Sequence, residues 1–306
     1  MDYNIRDIRE AGKIPLSYSK INLFDSCPRQ FFYRYLTDIP LRPTKWPGTF
    51  VGQIIHEAVE YTINQMNDGG EPKKILKELK GTFKDKFAEE KKKNKEHYRA
   101  SRELNSNKEK FYKDGDKGML KVVSFILEYL FTQPNIIIYP EAEFNIPWKW
   151  DDEIMLRGFI DILIKMPDGT NLIYDLKITK DSTTYFYVDW KTSYQKMFYE
   201  YFVSQKYGKP PGSFCYIVYN REDRTIFLKE KYADDVKPNK KYFSHLHDRL
   251  VGLKEFVKNP DLSLANPNET QCNWCIYKDY CEHKYVSPLH KKIKTISKKR
   301  KRRAIK

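Results

Sequence analysis

Apolar residues in the first part of the chain follow a helical spacing. Residues 17–36 form an aromatic-rich helical stretch, and Ser17 or Ser19 is suited to cap it because a hydroxyl oxygen accepts a bond from a free backbone N–H. Pro28 is expected to break or restart this helix, since proline lacks the donor N–H. Residues 48–66 predict a second helix.

A stretch rich in lysine and glutamate follows. Its apolar residues recur every three to four positions, which is typical of a helix with one buried face (Ile75, Leu76, Leu79, Phe83 and Phe87). Residues 119–131 add a strongly apolar helix. We therefore expect residues 60–131 to form a helical insertion or lid over a sheet built by later residues.

From residue 136 onward the pattern changes to that of β-strands. Residues 167–169, Pro-Asp-Gly, mark a hairpin turn between the second and third runs. Helices at about 190–207 and 238–258 enclose the last two strands. The predicted strands are 136–148, 153–166, 171–178, 213–220 and 225–230. This order predicts an α/β fold, a mixed sheet flanked by helices, with no internal repeat.

Composition is typical of a folded soluble protein, with 40% apolar and 15% aromatic residues. No run approaches the roughly 18 apolar residues of a membrane span, and the polar start of the chain lacks the apolar segment of a secretory signal. Five cysteines, four of them at ligand spacing, argue against a disulfide framework and for a reducing compartment. We expect one domain over residues 1–290 and a cytoplasmic or nucleoid-associated protein, of cellular, phage or viral origin.

Positive charge is concentrated at the end of the chain. The formal net charge is +15, and residues 291–306 hold 10 basic and no acidic side chains, so the first 290 residues carry only +5. One interpretation of this tail is a solvated, disordered extension. A compatible one is an arm that binds phosphates without sequence preference by releasing counterions. A nuclear address is a third.

Two aspartates and a lysine in the strand region carry the strongest chemical signal. Asp175 and Lys177 are two positions apart, so in a strand they point to the same face. The hairpin can bring Asp161 beside them, and neighbouring carboxylates repel each other unless a divalent cation neutralises them. Metal-assisted phosphodiester hydrolysis fits this set, with the lysine orienting water or offsetting charge. The alternative is a surface Asp–Lys pair, which the apolar surroundings of Asp161 weaken because a buried carboxylate needs a partner.

Three further polar residues lie on predicted helices. His56, among apolar neighbours, is either a nitrogen ligand of the metal or a histidine whose hydrogen bonds are satisfied within the core. Gln195 and Tyr199 are four positions apart and share one helix face. They either hydrogen-bond to a phosphate or the lysine, or belong to an ordinary amphipathic surface.

Four cysteines are spaced as metal ligands. Cys27 lies near the start of the chain, and Cys272, Cys275 and Cys281 form a C-x2-C-x5-C cluster near its end. Four thiolates complete the coordination of one zinc ion or one iron–sulfur cluster, and such a centre would tie the two ends together. Cys215 lies in an apolar run and is predicted to be a buried strand residue.

Together these motifs resemble the RecB-like branch of the PD-(D/E)xK nuclease superfamily. The likeness is greatest to its iron–sulfur subgroup, which includes CRISPR-associated RecB-like exonucleases and the AddB nuclease domain. The family pattern is a cysteine, G-x-x-x-H, G-x-x-D, (D/E)-x-K, Q-x-x-x-Y and three cysteines. This chain has all six in that order between about residues 17 and 283: Cys27, Gly52 to His56, Gly158 to Asp161, Asp175 to Lys177, Gln195 to Tyr199, and Cys272, Cys275 and Cys281.

The resemblance implies a restriction-endonuclease-like core with a role for each matching residue. His56, Asp161 and Asp175 would bind Mg²⁺ or Mn²⁺, helped by the backbone carbonyl of Leu176. Lys177 would be the catalytic lysine.

The remaining motifs receive supporting roles from the same resemblance. Gln195 and Tyr199 would line the active site. The cysteines at positions 27, 272, 275 and 281 would hold a structural 4Fe–4S cluster that closes the C-terminal segment on the N-terminal region, with zinc as the rival metal.

The resemblance implies a metal-dependent DNA exonuclease acting on single-stranded DNA or DNA ends in recombination, repair or CRISPR-type processing. A helicase or recombination protein is an expected partner. The chief alternative is a non-catalytic nucleic-acid-binding or assembly subunit that keeps the fold and the cluster, and the intact Asp161, Asp175 and Lys177 argue against it. A zinc-stapled DNA-binding protein without catalysis is a third hypothesis.

Overall fold

The computed structural model describes residues 12–37, 47–93, 107–132, 136–180, 193–232, 240–261, 272, 275–278 and 280–281. Within these ranges the chain forms eight α-helices and six β-strands. The helices are α1 (Tyr18–Ser26), α2 (Pro28–Tyr35), α3 (Pro47–Asn67), α4 (Pro72–Leu79), α5 (Phe83–Lys93), α6 (Lys108–Leu130), α7 (Tyr194–Tyr207) and α8 (Lys240–Lys258). The strands are β1 (Ile14–Leu16), β2 (Ile137–Trp148), β3 (Asp151–Lys165), β4 (Asn171–Thr179), β5 (Ser213–Asn220) and β6 (Thr225–Tyr232).

The first two helices meet at Cys27. Ser17 caps α1, because its hydroxyl oxygen accepts a bond from the Lys20 N–H at 3.4 Å. Pro28 is the first residue of α2, a position where the missing N–H would have no helical partner. Cys27 is therefore the extended residue that ends one helix and begins the next, and its half-buried side chain is fixed at this junction.

All six strands belong to one mixed sheet. β3 is its longest strand: β2 pairs with it antiparallel along most of its length, β1 pairs parallel with its first part, and β4 pairs antiparallel with its last part. β5 runs parallel to β4, and β6 runs antiparallel to β5. Parallel neighbours need a crossover connection, and α7 lies on the one between β4 and β5. The predicted α/β class, with helices on both sides of a mixed sheet, is confirmed.

Helices cover both faces of the sheet and create two cores. α3 to α6 pack on one face, and α1, α2, α7 and α8 pack on the other. β5 contributes to both, since Phe214 and Tyr216 face the second group of helices whereas Cys215 and Ile217 face the first. Because helices cover both faces of β5, every one of its residues is buried. This explains why its sequence is a nearly continuous apolar run. The prediction for Cys215 is confirmed.

The predicted elements agree with the structure in order and mostly, within a few residues, in bounds, but the helix predicted over 119–131 begins earlier, at Lys108. β1 was not predicted, because three residues are too few to show a period. The described parts of 60–131 are helical and share a core with the sheet. The division into a domain over 1–290 and a basic tail stays a prediction, and the tail lies outside the described residues. None of the described helices is both long and apolar enough to cross a membrane.

Candidate active site

The hairpin between β3 and β4 brings Asp161 close to the Asp175 segment. The turn forms at residues 167–169, where Gly169 takes the left-handed φ of +76° that glycine tolerates. Regular pairing of the two strands ends at Ile162, the residue that follows Asp161. There the backbone N–H of Leu176 donates to Asp161 Oδ2 at 2.8 Å, so the carboxylate takes the place of a strand partner.

Both β2 and β3 are irregular at this point. Ile160 and Ile162 would share one face in a regular strand, yet they belong to the cores on opposite faces of the sheet. Asp161 lies between them, and the register of β2 puts Glu141 across from it. Glu141 has a φ of +45°, a left-handed conformation that residues other than glycine adopt rarely and that is concentrated at functional sites. The irregularity turns both acids toward α3.

His56, Glu141 and Asp161 form a set of possible metal ligands. His56 Nδ1 lies 3.8 Å from Glu141 Oε1 and 3.7 Å from Asp161 Oδ2. One donor atom from each residue lies within 4.8 Å of the other two. Two ligands bound to one Mg²⁺ at about 2.1 Å can be at most about 4.2 Å apart, so the two distances from His56 fit a single ion. All three side chains are half-buried, which leaves the site accessible to an ion from solvent.

Asp175 is fully buried, and different groups contact its two oxygens. Oδ2 lies 2.5 Å from the Lys177 ammonium nitrogen. Oδ1 accepts a bond from Gln195 Nε2 at 2.5 Å and one from the Tyr199 hydroxyl at 3.5 Å. Gln195 and Tyr199 are one turn apart on the buried face of α7, which Ser193 caps. The helix motif thus fixes the carboxylate that in turn holds the lysine.

The crowded acids alter the protonation of the site. Burial and the Asp175 charge raise the pKa of Asp161 to about 7, although His56 and Lys177 act in the opposite direction. Burial alone would lower the pKa of Lys177, but Asp175 and Asp161 outweigh it and raise that pKa, so the amine stays protonated. Burial would also lower the pKa of His56, and the nearby Glu141 and aspartates raise it overall. Without metal this site therefore retains protons that a divalent cation would displace.

The structure brings the predicted site residues together but divides them into two groups. His56 and Asp161 lie in the ligand set, whereas Asp175 contacts Lys177 and the α7 residues and is not part of that set. Leu176 contacts the site through its N–H, and ligation through its carbonyl stays a prediction.

Glu141 was absent from the predicted ligands. Counting back along β2 from its hairpin with β3 does not pair position 141 with Asp161, because the register shifts between Pro147 and Trp148. The left-handed conformation of Glu141 has no sequence signal either, since such residues are most often Gly or Asn.

The chemistry of the donors suits a divalent ion. Carboxylates are the preferred ligands of Mg²⁺ and Mn²⁺, and an imidazole adds affinity for Mn²⁺. Asp175 Oδ2 adds a buried oxygen that accepts no regular hydrogen bond, although the Lys177 ammonium lies beside it. The residues present therefore fit the metal that the resemblance implies.

The C-terminal cysteine segment packs on α2, next to Cys27. The rings of Tyr33 and the fully buried Tyr277 have centroids 5.4 Å apart. The Tyr33 hydroxyl donates to the carbonyl oxygen of Tyr280 at 3.2 Å. These contacts join residues about 245 positions apart, and they bring the two ends of the described chain together, whereas a metal centre on the cysteines stays a prediction.

The four thiols of this region are near neighbours. Burial raises the pKa of Cys275, and the charges of Cys27, Cys281 and Cys272 raise it further. Each of these side chains is half-buried. Among the described cysteines no three sulfur atoms lie within 4.8 Å of one another, so the arrangement is more open than the His56 set.

Comparison with known proteins places the chain in a family. No curated protein is similar enough to be a match. The crystal structure of SSO0001 is 11% identical, with a TM-score of 0.33, and the match covers 88% of this chain and 96% of that one. A similarity this low supports no inference. The family model of the PD-(D/E)XK nuclease superfamily, however, matches residues 15–282, which include the metal ligand set, Lys177 and all four clustered cysteines. Since this match spans most of its length and its sheet and helices are consistent with a restriction-endonuclease-like fold, the chain belongs to the PD-(D/E)XK nuclease superfamily.

Proposed function

We propose that this chain is a metal-dependent DNA exonuclease of the RecB-like branch, acting on single-stranded DNA or DNA ends. The observation that carries the proposal is the convergence of His56, Glu141 and Asp161 beside the Asp175–Lys177 pair. Membership of the superfamily supports it, because its members are typically metal-dependent nucleases with nucleic acid as substrate.

Each residue of the site has a distinct task in this proposal. A Mg²⁺ or Mn²⁺ ion held by His56, Glu141 and Asp161 would polarise a phosphate oxygen and acidify a water molecule. Lys177 is protonated and adjacent, so it orients that water and offsets the negative charge that develops on the phosphate. Asp175 keeps the ammonium group in place.

The test is digestion of an end-labelled single strand by the full chain with Mg²⁺ or Mn²⁺. We expect a ladder of products that shortens stepwise from one end, and no ladder from Asp161→Ala or with excess chelator. Equal digestion by wild type and Asp161→Ala would refute the proposal and indicate a contaminating nuclease. Internal fragments without a ladder would refute the exonuclease mode. Tight binding without any cleavage would favour the non-catalytic subunit.

We further propose that Cys27, Cys272, Cys275 and Cys281 hold a structural 4Fe–4S cluster. The support is the mutual proximity of four half-buried thiols at the junction of the chain ends. Four thiolates suit both this cluster and zinc, so the metal itself must be measured. Anaerobically purified protein should be brown, with about four iron and four sulfide per chain. Colourless protein with stoichiometric zinc would refute the cluster.

A further inference from the structure

A cavity beside the candidate active site is lined by residues that the proposed reaction does not use. It has a volume of about 430 Å³ and lies between α3, α6, the end of β4 and the turn that joins β5 to β6. Val51, Ile55 and Phe111 form apolar parts of its wall. None of the metal ligand set lines it.

The cavity and the metal site share two walls. Ile55 lines the cavity, and the next residue on α3 is His56. Lys180 also lines it and follows Lys177 by three positions, about 10 Å along an extended chain, so the two side chains leave opposite faces of the strand. α3 lies directly on this end of β4, since a Cβ added at Gly52 would be 3.9 Å from the Cβ of Ile178. The cavity therefore lies next to the metal site, with α3 bordering both.

The charged side chains of the cavity are mainly basic. They are Lys110, Lys180, Arg221 and Arg224, with Asp114 and Glu222 as the acids. Arg224 pairs with Asp114 at 2.7 Å, but the guanidinium is 45% exposed, so solvent screens this pair. The lining therefore carries more positive than negative charge, and it lies next to a site suited to phosphodiesters.

Close packing holds the turn between β5 and β6 against helices α3 and α6. A Cβ at Gly48 of α3 would lie 3.0 Å from Arg221 Nη2, and one at Gly118 of α6 would lie 2.7 Å from the Tyr219 hydroxyl. The backbone N–H of Arg221 donates to the Thr179 carbonyl oxygen at 2.8 Å, which ties the turn to the end of β4. Gly48 thus leaves room for the Arg221 side chain, Gly118 leaves room for Tyr219, and the sheet fixes the Arg221 backbone.

We propose that this cavity binds the phosphates of a single DNA strand adjacent to the one at the metal site. This inference rests on the proposed function. Arginine binds phosphate through paired N–H groups and lysine binds it as a point charge. The apolar wall provides contact for sugars or bases.

The test measures binding of a labelled oligothymidylate strand to the full chain in buffer without divalent ions, over a range of salt concentrations. The variant is Lys180→Ala/Arg224→Ala, and the control is Lys209→Ala, which lies beside the hairpin turn at the opposite end of β4. We expect the double variant to bind about tenfold more weakly. Its slope of log affinity against log salt should fall by about 1.4, since each lost phosphate contact on a single strand contributes about 0.7. The control should match wild type.

Each outcome bears on the cavity separately from catalysis. Unchanged affinity and slope in the double variant would overturn the inference, even if wild type degrades DNA. Weaker binding by that variant would uphold it, even if wild type degrades none. If dTMP fills the cavity and the strand does not compete with it, the site is one for free nucleotides and the inference fails. Should thermal unfolding show that the double variant is not folded, Lys110→Ala, exposed on α6, provides the same test with a slope change of about 0.7.

Discussion

Two regions of this molecule unite residues that are distant in sequence, and they are held in different ways. In the metal-site region (His56, Glu141, Asp161, Asp175 and Lys177, with Gln195 and Tyr199) the carboxylate that holds the lysine is fully buried between two cores. In the cysteine region (Cys27, Cys272, Cys275, Cys281 and Tyr33, Tyr277, Tyr280) the thiols are half-buried, and the contacts to α2 include one ring pair and one exposed hydrogen bond. Packing in the core thus sets the geometry of the first region, whereas the described contacts of the second lie nearer the surface.

The largest effect we expect comes from removing the amine of the metal-site region. Lys177→Ala should lower the rate of DNA digestion by about 10²- to 10³-fold, because a fixed charge at the reacting phosphate is lost. Single-turnover digestion of an end-labelled strand measures it. Lys165→Ala, an exposed lysine at the far end of β3, is the control and should match wild type. A Lys177→Ala rate within about tenfold of wild type would contradict the role assigned to this ammonium group.

A second substitution tests whether Glu141 binds the metal ion. Glu141→Gln should weaken Mn²⁺ binding by at least about tenfold, the loss that even indirect disturbance of a metal site produces. Titration calorimetry measures the affinity. Glu143→Gln is matched, since Glu143 lies two residues away on β2 but pairs with Arg157 at 2.9 Å. Equal affinities for the two variants would remove Glu141 from the ligand set.

The sequence predicted the site correctly where the spacing of residues along one strand or one helix decides which side chains share a face. The i, i+2 spacing of Asp175 and Lys177 and the i, i+4 spacing of Gln195 and Tyr199 predicted shared faces, and the structure has both pairs in contact. Glu141 could not be placed by period alone, because its backbone is left-handed and β3 changes face beside Asp161. Such irregularities are imposed by tertiary packing, which a local pattern does not record.

Metal binding in the metal-site region should depend on pH. In the metal-free protein the pKa of Asp161 is raised to about 7, so below that pH a metal ion must displace its proton. Apparent Mn²⁺ affinity should fall by about tenfold per pH unit below pH 7, and protonation of His56 makes the fall steeper. The affinity should level off at higher pH. Calorimetry in buffers of different ionisation enthalpy measures the proton release.

The same pKa fixes the sign of one stability effect. Because the folded state holds the Asp161 proton up to about pH 7 and the unfolded chain releases it near 3.8, the metal-free protein should lose stability as pH rises between these values. Urea unfolding at several pH values checks the direction.

For both predictions that rest on the Asp161 pKa, a metal affinity that does not change with pH below 7 would show that the Asp161 carboxyl is already ionised in the folded protein.

The smallest effect comes from removing one hydroxyl group in each region. Tyr33→Phe loses the exposed bond to the Tyr280 carbonyl and keeps the ring against Tyr277, so unfolding free energy should fall by no more than about 1 kcal/mol. Tyr199→Phe loses a buried hydroxyl that accepts a bond from Gln195 Nε2 at 2.9 Å and donates one to Asp175 Oδ1 at 3.5 Å, and a hydrogen bond to a charged group contributes about 1.5–3 kcal/mol. Urea unfolding of both variants measures the difference. Equal losses would mean that the two regions are held alike, because removing the same atom would then cost the same in a packed core and at a half-exposed junction.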